Sequence, residues 1–243
     1  MIGVLQWSTL AVCGMATLAR VPSALRGENR SLFSIFALMT LAILLSIDAP
    51  YVAVDRALGG MNVANLVLRF VIFAVIFFLG LRVARGFGAD DALRLITGPI
   101  GLAVAAAASA AVVAVFFMMD TAGSSAGLVA VFAKDGRNAA LVEYYGAAGR
   151  LYPAYITVAL FPAMVRTVRG RLPVLVRCSA ALLALGTVAI TLSLLSPVIP
   201  PSLGFLRFVF NYTAVLCLVL GLVLIRVAKT LAKRAPTKQA SFT

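Results

Sequence analysis

The chain has 243 residues, 63% of them apolar and only 12% charged, with a mean hydropathy of +1.06 and a formal net charge of +13. Soluble domains carry roughly 25% charged residues, so a water-soluble globule is excluded and lipid must be the solvent. The sequence contains no histidine, which excludes histidine-ligated haem or metal and any Ser/His or Cys/His catalytic pair.

A membrane span needs about 20 mostly apolar residues. Read on that basis, the chain is an all-α polytopic membrane protein of seven spans over residues 1–228, followed by a basic tail, 229–243. Span 1 covers residues 2–19. It has no positively charged segment before it, so it reads as a retained helix rather than a signal peptide. Span 2 covers 31–47 and is closed by Asp48. A loop with a short amphipathic piece, Tyr51 to Leu58, leads through Gly59 and Gly60 to span 3, residues 62–81, which carries Arg69 inside it.

Span 4, 95–119, starts at Gly98-Pro-Ile-Gly101, is rich in alanine from Ala105 to Ala108 and is closed by Asp120. Small residues let helices approach closely in lipid, so this span is expected to be a packed inner helix. The longest loop follows, with an apolar stretch from Leu128 to Ala133 suited to the membrane interface. Span 5, 139–165, contains Glu143, Arg150, Pro153 and Pro162, and a kink is expected at Pro153. Span 6 covers 173–196. Span 7, 203–225, carries Arg207 near its start. Cys13, Cys178 and Cys217 lie in apolar runs and read as small hydrophobes.

Charge sets the orientation. Of the 21 Lys and Arg residues, 15 fall after spans 1, 3 and 5 and in the tail, in groups of three, three, four and five. Only Arg56, Lys134 and Arg137 fall in the alternate loops. By the positive-inside rule the N-terminus is outside and the C-terminus inside. The partner implied for the basic face is a bilayer with anionic headgroups, not nucleic acid.

Three arginines remain, Arg69, Arg150 and Arg207, all on spans that enter from the outer side. Ionisable groups inside a span are costly and usually functional. Outer acids accompany them: Asp48, Asp55, Asp120, Asp135 and Glu143. So do Tyr51, Tyr144, Tyr145, Tyr152, Asn62 and Asn65. The functional reading is an outward-facing pocket in which Arg69, Arg150 and Arg207, with Glu143, Asp48, Asp120 and Tyr152, bind an anionic headgroup, carboxylate or phosphate. The alternative is that each arginine pairs with an acid or snorkels to the headgroups and only holds helices together. Glu143 and Arg150 are seven residues apart, two turns on one helical face.

Other activities lack their residues. Span 7 has no lysine for a retinal Schiff base, no span carries arginines at every third position, and no paired acids suggest an intramembrane protease. No cofactor or metal site is expected, and an enzyme ranks third behind a sensor-like protein and a permease.

The stretch from Val54 to Leu66 resembles the second-to-third helix junction of a family of actinobacterial membrane proteins described as transporters. Asp55, Arg56, Gly59 and Asn62 are the matching positions, and the likeness covers mainly residues 20–80. In that family seven helices precede a cytoplasmic domain. None follows span 7 here, so the resemblance implies either the membrane half alone or a partner for a separate cytoplasmic subunit. It also implies a multi-pass protein of a bacterial plasma membrane.

Overall fold

The computed structural model describes residues 2–27, 30–198 and scattered positions between 206 and 231. Helices and turns make up the described residues, with no strand among them. Helices α1 (Ile2–Leu18), α2 (Val21–Leu25) and α3 (Arg30–Leu44) come first. They are followed by α4 (Asp48–Ala57), α5 (Val63–Gly86), α6 (Asp90–Thr97) and α7 (Pro99–Met118). A 3-10 turn at Ala126–Leu128 leads into α8 (Val129–Phe132). The long α9 (Gly136–Arg169), α10 (Val174–Leu192) and a 3-10 segment at Ser193–Val198 complete the order. Described positions from 206 to 231 are helical. Span 7 otherwise lies outside the described residues, as does nearly all of the tail.

Four helices, α5, α7, α9 and α10, are each long and apolar enough to cross a membrane. The pair α3 and α4, bent by 93°, makes a fifth if it forms one span. The chain is therefore a multi-pass membrane protein by length and composition. At 1.5 Å per residue the 24 residues of α5 reach about 36 Å and the 34 of α9 about 51 Å, each enough for a hydrocarbon core of about 30 Å.

Successive spans alternate in direction. Phe116, late in α7, meets Tyr145, early in α9, at 6.1 Å between rings. Arg177, early in α10, donates from Nε to the Val168 carbonyl near the end of α9 at 2.8 Å. By contrast α5 and α9 run parallel: Arg69 lies on Gly149, and eleven residues on Gly80 lies against Ile156. A Cβ at position 80 would come within 2.6 Å of Ile156 Cγ2, so glycine there sets how closely the two helices approach.

The alanine-rich segment is not the inner helix. Only 22% of the α7 span is buried, against 56% for α9, which packs on α5, α6, α7, α8 and α10. Leu102, Phe117 and Met118 of α7 are all exposed, so this helix turns a large apolar surface outward. The small residues of Ala105–Ala108 permit close approach but do not require it, because lipid solvates alanine as well as a protein core does.

Span 4 also begins later than expected. Leu95 belongs to α6, an amphipathic helix ending at Thr97, and the span starts at Pro99. The corner needs both flanking glycines: a Cβ at Gly98 would meet the Arg94 carbonyl, and one at Gly101 the Ile96 carbonyl. Pro99 sits in the first turn of α7, where its missing N–H costs nothing. Pro153 and Pro162 both lie within α9, which continues as one helix through them. The Pro153 carbonyl accepts from Thr157 Oγ1 at 3.0 Å.

Candidate functional site

Two connected polar clusters occupy the end of the bundle where the 48–62 and 120–138 loops meet. The first is built on Asp55, which has no solvent exposure. Its carboxylate accepts from the backbone N–H of Asn62 at 2.9 Å and of Ala64 at 3.0 Å, and from Ser124 Oγ at 2.6 Å. Asn62 and Ala64 open α5, and Asn62 forms no side-chain cap of its own. Asp55 therefore caps α5 from the preceding helix, satisfying donors that a helix start leaves open.

Asn62 ties in the second loop. It adopts a left-handed backbone, φ 56°, which asparagine tolerates better than most residues. Its Nδ2 donates to the Thr121 and Gly123 carbonyls, at 2.9 and 2.8 Å. Its Oδ1 accepts from the Tyr51 hydroxyl at 2.8 Å and from the Ser125 N–H at 3.0 Å. Gly59 and Gly60, with φ of 105° and 71°, supply the turn that brings Asn62 back over Asp55.

The second cluster starts one helical turn into α5. Asn65, next to the Tyr51 hydroxyl, is buried. One turn further, Arg69 lays its guanidinium over the Tyr145 ring, 4.9 Å from its centroid. Tyr145 is fully buried. The arginine can lie there because position 149 has no side chain: a Cβ on Gly149 would stand 2.9 Å from Arg69 Nη1. Arg150 extends toward Gly146, back along α9, and feels the charges of both Arg69 and Glu143. Arg69 thus packs on Gly149 and Arg150 on Gly146, with Arg69 and Glu143 within electrostatic range of Arg150 and all three half-buried.

Buried polar atoms here without a hydrogen-bond partner among the described residues include Arg69 Nε, the Tyr145 hydroxyl and Asn65 Oδ1. Arg69 forms no ion pair with a described carboxylate. Below the cluster the core is closed. Tyr152 is buried against Phe73, 5.3 Å between ring centroids, and beneath it lie Ile156, Leu160 and Met164. A separate apolar groove of about 480 Å³, lined by Val115, Met118, Leu141, Tyr144, Leu151 and Leu194, runs along another face of α9.

The expected site residues divide accordingly. Arg69, Arg150 and Glu143 come together, and Tyr152 lies under them. Asp120 is on the surface, bonded to Lys134 Nζ at 2.9 Å. That bond, and the Ala122 N–H, hold its carboxyl below the usual carboxylate range. Asp48 is exposed at the start of α4. Arg207 lies outside the described residues. Gly149 was not among the expected residues, and Tyr145 was named only among the accompanying aromatic groups, not as part of the pocket. The missing signal is geometric: positions 145, 149, 152 and 156 share a helical face, the one that meets α5. The chain has no match among protein-family models, curated proteins or solved structures.

Proposed function

We propose that the chain is a non-enzymatic, sensor- or receptor-like protein of the plasma membrane that binds an anionic group at Arg69 and Arg150, in the outer half of the bilayer. The observation that carries this reading is the pair of buried donors, Arg69 Nε and the Tyr145 hydroxyl, which find no acceptor among the described residues and lie beside a second guanidinium. Buried donors are nearly always satisfied. A carboxylate or phosphate oxygen would satisfy both and offset the arginine–arginine repulsion. The closed apolar layer of Phe73, Tyr152, Ile156 and Leu160 beneath the cluster favours binding over passage. Asn65 Oδ1 adds an acceptor on the side toward Tyr51, suited to a ligand or water that also carries a donor.

In this reading seven spans place the N-terminus outside and the basic inner loops against anionic headgroups. Reporter fusions after residue 202 should report outside and those after residue 238 inside; a common side for both sinks the seven-span arrangement. Binding is tested by thermal unfolding of the purified protein with simple carboxylates, inorganic phosphate and anionic phospholipids. A ligand of the folded state raises the unfolding temperature. Arg69→Ala and Arg150→Ala should each abolish that rise. A rise that survives both substitutions removes the site. Uptake of the stabilising anion into vesicles would replace the sensor reading with a permease.

A further inference from the structure

We propose that α4 and α8 form a shelf lying in the plane of the membrane, with their outward faces covered by the acyl chains of the adjoining leaflet. The inference rests on the reading of the chain as membrane-spanning, but not on which side is outside. Helix α4 leaves the direction of α3 at 93°. If α3 crosses the bilayer, α4 therefore runs along it. The 15 residues of α3 rise only about 22 Å, short of a hydrocarbon core of about 30 Å. The turn into α4 thus comes at or below the membrane edge.

The faces of α4 are reversed relative to a helix in water. It turns Tyr51 and Asp55 inward, both fully buried, and exposes Val54, with Leu58 and Met61 exposed just beyond its end; the charged Asp48 and Arg56 are exposed toward its two ends. Helix α8 likewise leaves Val129 68% and Phe132 48% exposed. The bonds of Asn62 to Thr121 and Gly123, and of Asp55 to Ser124, tie α4 and the start of α5 to the loop that leads into α8. The apolar surface continues onto Val67 and Phe70 of α5, both exposed. Arg56 and Arg137, exposed at the same end, match the phosphate level of a leaflet. A soluble partner explains neither the right-angle turn nor this continuity with the spans.

Trp7 is the only tryptophan, so a Trp7→Phe background gives a silent protein for placing single probes. Leu58→Trp and Phe132→Trp, reconstituted in phosphatidylcholine vesicles with brominated chains, should be quenched by the bromolipid and several-fold less by aqueous iodide. Phe117→Trp, on the exposed face of α7, is the span reference. Shelf probes quenched by iodide and not by bromolipid, with Phe117→Trp quenched by bromolipid, overturn the shelf alone. Failure of Phe117→Trp to meet lipid overturns the membrane reading beneath it. Met61→Trp and Val129→Trp give a second pair, to which the same outcomes apply.

Discussion

Asp55 is buried without an ion pair among the described residues, and its three donors explain how that is possible. A carboxylate removed from water needs its lone pairs occupied, and here a helix start and a serine hydroxyl do so. Removing it strands two backbone N–H groups and the Ser124 hydroxyl. Asp55→Ala should lower the folding free energy by roughly 2–4 kcal/mol, read as a loss of thermal stability in detergent. Ser124→Ala removes one bond and leaves the cap, and should cost about 1–2 kcal/mol. Gly149→Ala separates stability from binding. The three atoms nearest the added Cβ all belong to the Arg69 side chain, 2.9–3.1 Å away, so the guanidinium must shift, and anion-induced stabilisation should fall by a larger fraction than the unfolding temperature. Equal losses in both would place Arg69 in a structural role. The sequence marked Arg69 and Arg150 because charge inside a span is conspicuous. It did not mark Gly149, whose importance lies in what it leaves room for.

Among the elements, α9 depends on a cap at its exposed start. Asp135 accepts from the backbone N–H of Asn138 at 2.7 Å and from its Nδ2 at 2.8 Å, which holds the carboxyl below the usual carboxylate range. A lowered folded-state value means the stabilisation is complete above the unfolded value, about 3.9, and is lost as pH falls through the folded one. Asp135→Ala should therefore unfold at a lower temperature than the parent at neutral pH. The gap should narrow only below about pH 4. A gap that stays constant down to low pH would show that the charge of Asp135 contributes nothing. The end of α7 was legible from Asp120, which closes it, whereas the starts of α7 and α9, at Pro99 and Gly136, were expected at 95 and 139. Which elements lie inside was not legible. The ordering by burial, α9 above α10 above α7 and α5, runs against apolarity, because the least apolar of the four spans is the one shielded from lipid.

On the scale of the whole molecule, the alternation of charge between loops predicted that the 48–61 and 120–138 loops share a side. In the structure they are in contact, with the Gly123 N–H on the Gly60 carbonyl at 3.2 Å. The parallel course of α5 and α9 requires the same. Tags inserted after Gly59 and Ser124 should be labelled from one face of the membrane, and tags after Gly88 and Gly170 from the other. Any other grouping breaks the alternation of α5, α7, α9 and α10. Hydropathy located the four apolar helices α5, α7, α9 and α10, read as spans 3 to 6. It could not foresee the right angle between α3 and α4, because a period of apolar residues records exposure, not the course of the axis.

The central position of α9 has a consequence for how the protein is made. Synthesis runs from the N-terminus, so α5 and α7 enter the bilayer before residues 136–169 exist. During that interval Arg69 has neither the Tyr145 ring nor the bare backbone of Gly149 to rest on, and α7 has only α5 and α6 to cover its buried face. The early helices are thus passengers awaiting a keystone that arrives more than halfway through translation. A nascent chain halted before α9 should be a substrate for membrane proteases, and one halted after Arg169 should persist.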